Sequence, residues 1–157
     1  MAKGRDAIRM SDEEVRDYLA RNTRIILVTN GPGGLPHPMP MNYGLDEEGR
    51  ILITSAVNSQ KVRNLERDPR AALLVESGER YEELKAVIAY CDAEIVTGPE
   101  LIAFGLQRLR ADGHLPENAD EAIEEKAKAG LARRVLLRFT PHRIVSWDHA
   151  KLRQDSG

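Results

Sequence analysis

The sequence predicts a mainly β fold, a small antiparallel β-barrel with added helices, in a single domain spanning residues 1–157. Runs of β-branched and apolar residues recur along the chain with glycine, proline and asparagine between them, which is typical of strands joined by hairpin turns. About seven such runs are present, and a barrel removes the exposed edges that an open sheet of this many antiparallel strands would have.

The strand at residues 36–45 has the most regular pattern. His37, Met39 and Met41 alternate with prolines, so they share one face of the strand. Proline cannot donate a hydrogen bond to a neighbouring strand, and this strand is therefore expected at an edge of the sheet. The seven predicted strands span about residues 24–29, 36–45, 51–55, 71–76, 84–96, 135–137 and 144–147.

Helices are predicted in three regions. Ser11 and Glu14 have the spacing of a capping box, so a helix is expected over about residues 12–21. A short helix begins at Ser59, directly after the third strand. Residues 99–130 are predicted to be a helical insertion, because Gly-Pro opens an apolar helical stripe there.

Composition excludes several functional classes. The formal net charge is −2 at pH 7, so the protein as a whole has no positive electrostatic potential that would attract the phosphate backbone of nucleic acid. Cys91 is the single cysteine and the four histidines lack a metal-binding spacing, so neither a disulfide nor a metal site is expected. No apolar run approaches the roughly 18 residues of a membrane span. We therefore expect a cytoplasmic protein that binds neither nucleic acid nor a membrane.

The two ends of the chain are polar. Residues 1–10 are basic without an apolar stretch behind them, so we predict a flexible N-terminal arm rather than a secretory signal. Residues 148–157 are predicted to form a C-terminal tail.

The most informative local pattern lies where the third strand meets the short helix. Thr54 and Ser55 end the strand, Ser59 caps the helix, and Lys61 and Arg63 fall in its first turns. Free amide groups at a helix start, together with a fixed cation, form a site for an anion such as phosphate. An ordinary strand–helix junction with solvated cations explains the same pattern, and the spacing leaves both interpretations open.

Four other residues have two interpretations each. His37 and Tyr43 are candidate proton donors, or ordinary strand residues. Met41 either packs in the core or lies beside a ligand. Trp147 is suited to anchor an interface, with a second copy of the chain or with a ligand.

Three segments give the sequence a family resemblance. They are Thr54-Ser55, Lys61-Val62-Arg63-Asn64-Leu65-Glu66-Arg67-Asp68-Pro69-Arg70 and Pro141-His142-Arg143-Ile144-Val145-Ser146-Trp147. In this order they resemble the pyridoxamine 5'-phosphate oxidase-like split β-barrel superfamily, and within it the flavin/deazaflavin (F420)-dependent oxidoreductases of the actinobacterial type. The resemblance covers about residues 12–147.

The resemblance implies a homodimeric split barrel with two cofactor sites at the subunit interface. Lys61 and its neighbours on the short helix would hold the cofactor phosphate, and Thr54 and Ser55 would lie near the edge of the ring. Trp147 would come from the other subunit. The implied cofactor-binding residues are Met41, Asn42, Thr54, Ser55, Ser59, Gln60, Lys61, Arg63, Asn64 and Trp147.

Three functions follow from the resemblance, and we favour the first. It is a reductase that uses coenzyme F420 to transfer a hydride to an unsaturated small-molecule substrate, with water, His37 or Tyr43 protonating the product. The second is an FMN-dependent oxidase or reductase, and the third is a carrier of flavin or haem without turnover. The chain end does not reproduce the arginine-rich substrate motif of true pyridoxamine-phosphate oxidases, which argues against oxidation of vitamin B6.

Overall fold

The computed structural model describes the backbone of residues 2–156 and the side chains of residues 4–153. Met1 and Gly157, at the ends of the predicted arm and tail, lie outside the described residues. The described α-helices are α1 (Ala2–Ala7), α2 (Asp12–Arg21), α3 (Gln60–Arg67), α4 (Pro99–Ala111) and α5 (Glu121–Leu131), and short 3-10 helices cover Pro32–Gly34, Tyr81–Glu83 and His149–Ser156. The described strands are β1 (Arg24–Asn30), β2 (Pro36–Asn42), β3 (Gly44–Leu45), β4 (Ile51–Ala56), β5 (Arg70–Ser77), β6 (Lys85–Val96) and β7 (Arg134–Asp148).

The described strands all pair antiparallel in one curled sheet, in the order β2-β1-β5-β6-β7-β4-β3. The two edge strands are consecutive parts of one segment, because β2 pairs with β1, and β3, which follows Tyr43, pairs with β4. The same stretch of chain therefore meets both sides of the sheet and rolls it into a barrel. The predicted mainly β, antiparallel split barrel is confirmed.

The edge position predicted for β2 is also confirmed. His37, Met39 and Met41 are half-buried, and the intervening prolines are exposed. Because the prolines alternate, their missing N–H groups all fall on the same side of the strand, and β2 has a neighbour on one side only.

The barrel encloses a core of aliphatic and aromatic side chains. Leu27, Ile51, Leu137 and Phe139 have no solvent exposure and come from β1, β4 and β7. Burial of each such side chain stabilises the fold by about 1.5–3 kcal/mol. The alternation of these inward positions fixes the register of the strands, since a slip of one residue would expose the whole set.

The prediction of two separate final strands is wrong, because β7 is one strand. Between the pairs Tyr90–Arg143 and Cys91–Pro141, the register shifts and His142 is the extra residue. A bulge of this kind bends a strand without ending it and accommodates a proline that cannot donate to the ladder.

The predicted capping box of α2 is confirmed. The Glu14 N–H donates to the Ser11 hydroxyl at 3.1 Å, and the Ser11 N–H donates to the Glu14 carboxylate at 3.0 Å.

Further along the chain, α4 and α5 pack against each other where Gly105 makes room for Leu131. A Cβ atom at Gly105 would lie 2.4 Å from the Leu131 side chain.

The two ends of the chain meet beside the second half of β7. The Asp148 N–H donates to the Ile8 carbonyl at 2.8 Å, and the Met10 N–H donates to the Ser146 hydroxyl at 3.1 Å. The mobility of the arm and of the tail stays a prediction.

Among the helices of residues 2–156, none has the length and hydrophobicity that crossing a membrane would take.

Candidate functional site

A serine pair joins the end of β4 to the start of α3. The hydroxyl oxygens of Ser55 and Ser59 lie 2.9 Å apart, and the Val62 N–H donates to the Ser59 hydroxyl at 3.4 Å. Ser59 is therefore the N-cap of α3, as the sequence predicts. Because Ser55 is buried at the end of a strand, the pair holds the amide end of α3 against the sheet.

Two cations lie at this junction. Lys61 is half-buried on the first turn of α3, and Arg134 opens β7 opposite Ala56, the last residue of β4. The Arg134 guanidinium donates to the Thr54 carbonyl at 3.3 Å. Among the described residues, no carboxylate forms an ion pair with Lys61 or Arg134. The junction therefore carries two uncompensated positive charges.

The pKa of Lys61 reflects its burial and its cationic neighbour. Its pKa is lowered from the ordinary lysine value, first by burial and second by the charge of Arg134. Both causes disfavour the ammonium form, and an opposite charge within about 4–6 Å favours it. An anion between Lys61 and Arg134 would offset both causes. The geometry and the charges thus suit a phosphate or another compact anion.

The other predicted residues of α3 divide between the surface and the interior. Arg63 is exposed. Asn64 is fully buried, donates to the Thr29 hydroxyl at 3.0 Å and accepts from the Gln60 amide at 2.7 Å. Its oxygen also accepts from Arg67 at 3.2 Å. Asn64 and Gln60 therefore fasten α3 to β1, and cofactor binding by them stays a prediction.

The predicted residues of β2 lie along the sheet edge beside β1. His37 is half-buried and is paired with Thr29, whose hydroxyl contacts α3. Met41 is partly buried against the main core. Asn42 is exposed, and its oxygen accepts from Arg24 at 3.3 Å. His37 is thus adjacent to the β1 residue that holds α3, whereas Asn42 lies at the other end of β2.

Tyr43 lies in the core. It is buried between β2 and β3, and its hydroxyl donates to the Leu19 carbonyl of α2. Burial raises the pKa of Tyr43, and the nearby Tyr18 raises it further. The Tyr43 hydroxyl is therefore protonated and engaged in a buried hydrogen bond, which holds α2 against the barrel.

Trp147 lies near the C-terminal end of β7, opposite Ala86 of β6. Arg134 begins the same strand, and a strand extends by about 3.3 Å for each residue. One chain therefore does not bring Trp147 to the Lys61–Arg134 pair. Trp147 borders two cavities, of about 420 and 280 Å³.

The structure brings together Thr54, Ser55, Ser59 and Lys61, and it adds Arg134, which the sequence reasoning missed. Arg134 directly precedes a predicted strand, so its position on the chain gave no sign of a site. Only the pairing of β7 with β4 places it beside Lys61.

Comparison with known proteins identifies the family. The family model for pyridoxamine 5'-phosphate oxidase matches residues 11–148. The chain belongs to this family. Oxidoreductases and flavin-binding proteins share the fold. No curated protein matches the chain.

Solved structures agree with this assignment. The conserved hypothetical protein Rv2991 from Mycobacterium tuberculosis is 33% identical, with a TM-score of 0.82 over 94% of this chain and 91% of that one. An F420 reductase is 22% identical, with a TM-score of 0.59 over 82% and 94%. The haem storage protein HutZ from Vibrio cholerae is 18% identical, with a TM-score of 0.63 over 87% and 96%. The last two likenesses show the fold alone.

Proposed function

We propose that this protein is an oxidoreductase that uses coenzyme F420 as a hydride source for an unsaturated small-molecule acceptor. The observation that carries the proposal is the Lys61–Arg134 pair beside the capped start of α3. Two uncompensated cations next to free helix amides suit the phosphate of a flavin-type cofactor. The family supports redox chemistry, and the resemblance of the sequence to F420-dependent oxidoreductases supports this choice of cofactor.

Each residue of the junction would have its own role in binding the cofactor. Lys61 and Arg134 hold the phosphate, and Arg63 adds a third positive charge on the exposed side of α3. The Ser59 hydroxyl fixes the helix amides that point at the anion. Thr54 and Ser55, at the end of β4, align the ring edge. Reduced F420, when bound, supplies a hydride, and the protein supplies orientation and exclusion of water.

A proton for the product would come from His37 or from water. His37 is half-buried at the sheet edge beside Thr29. Tyr43 is the less suitable of the two candidates, because its hydroxyl already donates to the Leu19 carbonyl in the core. No nucleophilic side chain is required, since hydride transfer needs neither a covalent intermediate nor a catalytic triad.

We also propose a homodimer formed through the outer face of the sheet. A straight row of apolar residues, one from each of four adjacent strands, crosses this face. Its members are Ile26, Leu74, Ile88 and Val145, which are paired in register. Ile26 is 37% exposed, and the other three are half-buried. A second copy would cover this row and bring its own Trp147 toward the first chain.

Two alternatives use the same anion site. An FMN-dependent oxidase or reductase is the second candidate, since the family is that of pyridoxamine 5'-phosphate oxidase and FMN also carries a phosphate. A carrier of flavin or haem without turnover is the third, since the fold is shared with a haem storage protein.

Two measurements separate these functions. The purified protein is titrated with F420 and with FMN while the fluorescence of each cofactor is followed. We expect F420 to bind more tightly by about tenfold or more, which is about 1.4 kcal/mol, and FMN binding tighter by that factor would overturn the cofactor assignment. Turnover of reduced F420 with a panel of enones is expected, and no turnover with either reduced cofactor would favour the carrier.

A further inference from the structure

A cavity of about 620 Å³ lies between α4 and the turn that joins β3 to β4. Its floor consists of Leu52 of β4 and Leu136 of β7, which are buried and alternate along their strands with residues of the barrel core. Phe104 of α4 packs against these leucines and forms an apolar wall. A cavity of this size with apolar walls is typical of a site for a small molecule.

The cavity is separate from the proposed cofactor site. One face of α4 lines it, with the i, i+3, i+4 and i+7 spacing of Glu100, Ala103, Phe104 and Gln107. A different face of α4, at Gly105, packs against Leu131 of α5, and the chain continues from α5 into Arg134. The cavity and the Lys61–Arg134 junction therefore lie on different sides of α4.

The cavity is also separate from the apolar row of the proposed dimer. Among the described residues that line the cavity, none belongs to that row. Along β7, Leu136 is separated from Val145 of the row by roughly 30 Å of extended strand. Covering the row with a second copy of the chain would therefore leave the cavity at a distance from the row.

The turn between β3 and β4 brings three carboxylates to the rim of the cavity. Arg50 lies 2.7 Å from the Asp46 carboxylate and 3.7 Å from that of Glu48. Glu47 is exposed and has no ion-pair partner in the described part of the chain. Among the described residues of this turn, one guanidinium group therefore faces three carboxylates.

The opposite side of the cavity has a similar excess of negative charge. The largely buried Arg138 of β7 pairs with Glu94 at 2.8 Å and also with Glu100 of α4. Both arginines of the cavity are thus engaged by two carboxylates each, so neither is available to bind an anion. The electrostatic potential of the cavity favours a positively charged ligand.

We propose that this cavity binds a small organic cation, an ammonium group on an apolar body. The ammonium group would lie among the carboxylates of the turn, with Glu47 and Glu48 as its partners. The apolar body would cover Leu52 and Leu136 beside the Phe104 ring, which can also attract the cation through its π face. The site does not depend on the cofactor proposed above.

A pair of matched probes tests the proposal. The cofactor-free protein is titrated with 4-phenylbutylamine and with the neutral 4-phenylbutanol at pH 7, and the dissociation constants are measured by isothermal titration calorimetry. We expect saturable binding of the amine, which is charged at this pH, and binding of the alcohol weaker by about tenfold or more. No saturable binding of the amine, or equal binding of the two probes, would overturn the proposal.

A substitution on the wall of the cavity tests its location. Ala103 is exposed on α4, and arginine is favourable in a helix, so Ala103→Arg should fold normally. Its guanidinium would occupy the cavity and pair with the carboxylates, and we expect it to weaken binding of the amine by about tenfold or more. Ala122→Arg, at an exposed alanine of α5, is the matched control and should bind the amine as the wild type does. Wild-type affinity in Ala103→Arg would contradict the proposal.

A second variant removes the charges while keeping the shape of the rim. In the double variant Glu47→Gln/Glu48→Gln, we expect binding of the amine to weaken by about fivefold and its preference over the alcohol to shrink, because exposed ion pairs contribute modestly. Glu117→Gln, at an exposed residue between α4 and α5, is the matched control. An unchanged preference for the amine in the double variant would show that these carboxylates do not bind it and would overturn the proposal.

Discussion

The hydroxyl oxygens of Ser55 and Ser59 lie 2.9 Å apart and join the end of β4 to the first turn of α3. Lys61 projects from that same turn, so its position relative to the sheet depends on this contact. The serine pair therefore connects local helix capping to the geometry of the proposed anion site.

Replacing Ser59 by alanine removes both the N-cap and the contact with Ser55. We expect Ser59→Ala to lower the free energy of unfolding by about 1 kcal/mol, the usual value of an N-cap. Ser55→Ala keeps the cap and is the matched comparison, with a smaller expected loss. Urea denaturation of the two variants measures the difference. A Ser59→Ala protein as stable as the wild type would contradict the assigned cap.

Asn64 is predicted to be a structural residue of α3. In Asn64→Ala, the Thr29 hydroxyl and the Gln60 amide both lose the hydrogen-bond partner that they share. Leaving such groups unpaired in or near the interior lowers the free energy of unfolding by about 1–3 kcal/mol. Arg63→Ala, at the exposed neighbouring position, should change stability by less than about 0.5 kcal/mol. Thermal and urea unfolding check both values. Equal stability of the two variants would show that the buried amide is unimportant.

Glu14 makes stability depend on acid pH. The Lys151 ammonium, 2.7 Å from its carboxylate, and the Ser11 N–H lower its pKa to about 2. A carboxyl group with a lowered folded pKa stabilises the protein above its ordinary pKa, and this contribution is lost as pH falls toward 2. Because Glu14 is partly exposed, solvent screening reduces the size of the effect.

The Glu14→Gln variant isolates this contribution. We expect it to be less stable than the wild type near pH 7 and to approach the wild type as pH falls from about 4.5 to 2. Urea denaturation across this pH range measures the difference. A constant difference at every pH would show that the charge of Glu14 is not responsible.

A substitution at the centre of the apolar row tests whether this face forms the dimer. Leu74→Arg places a charge in the apolar row and should convert a dimer into a monomer, because a buried unpaired charge is costly. Leu35→Arg is the matched control, since Leu35 is 76% exposed in the loop between β1 and β2. Sedimentation analysis gives the mass of each protein. A monomeric wild type, or a dimeric Leu74→Arg variant, would contradict the assignment.

The local parts of this structure could be predicted from the sequence. The capping box at Ser11, the cap at Ser59 and the edge position of the proline-rich strand depend on residues close together in the chain. The bulge at His142 could not be predicted, because the Thr-Pro-His sequence there also fits a turn.

The site itself could be predicted only in part. Lys61 follows from its spacing after Ser59, whereas Arg134 reaches the site through a long-range strand pairing that no local pattern shows. His37 and Tyr43 are both candidate proton donors in the sequence, and the structure places His37 half-buried at the sheet edge and Tyr43 in the core. Tyr43 lies where the chain passes from β2 to β3, which pair with different strands, and no local pattern shows that this position is buried.

The most direct test of the account is the dissociation constant of F420 for the wild type, Lys61→Ala and Arg134→Ala, with Arg133→Ala as a control. Arg133 is an exposed arginine next to Arg134. We expect Lys61→Ala and Arg134→Ala each to weaken binding by about 1.5–3 kcal/mol, the range for hydrogen bonds to charged groups, and Arg133→Ala to leave it unchanged. Wild-type affinity in folded Lys61→Ala and Arg134→Ala proteins would contradict the account.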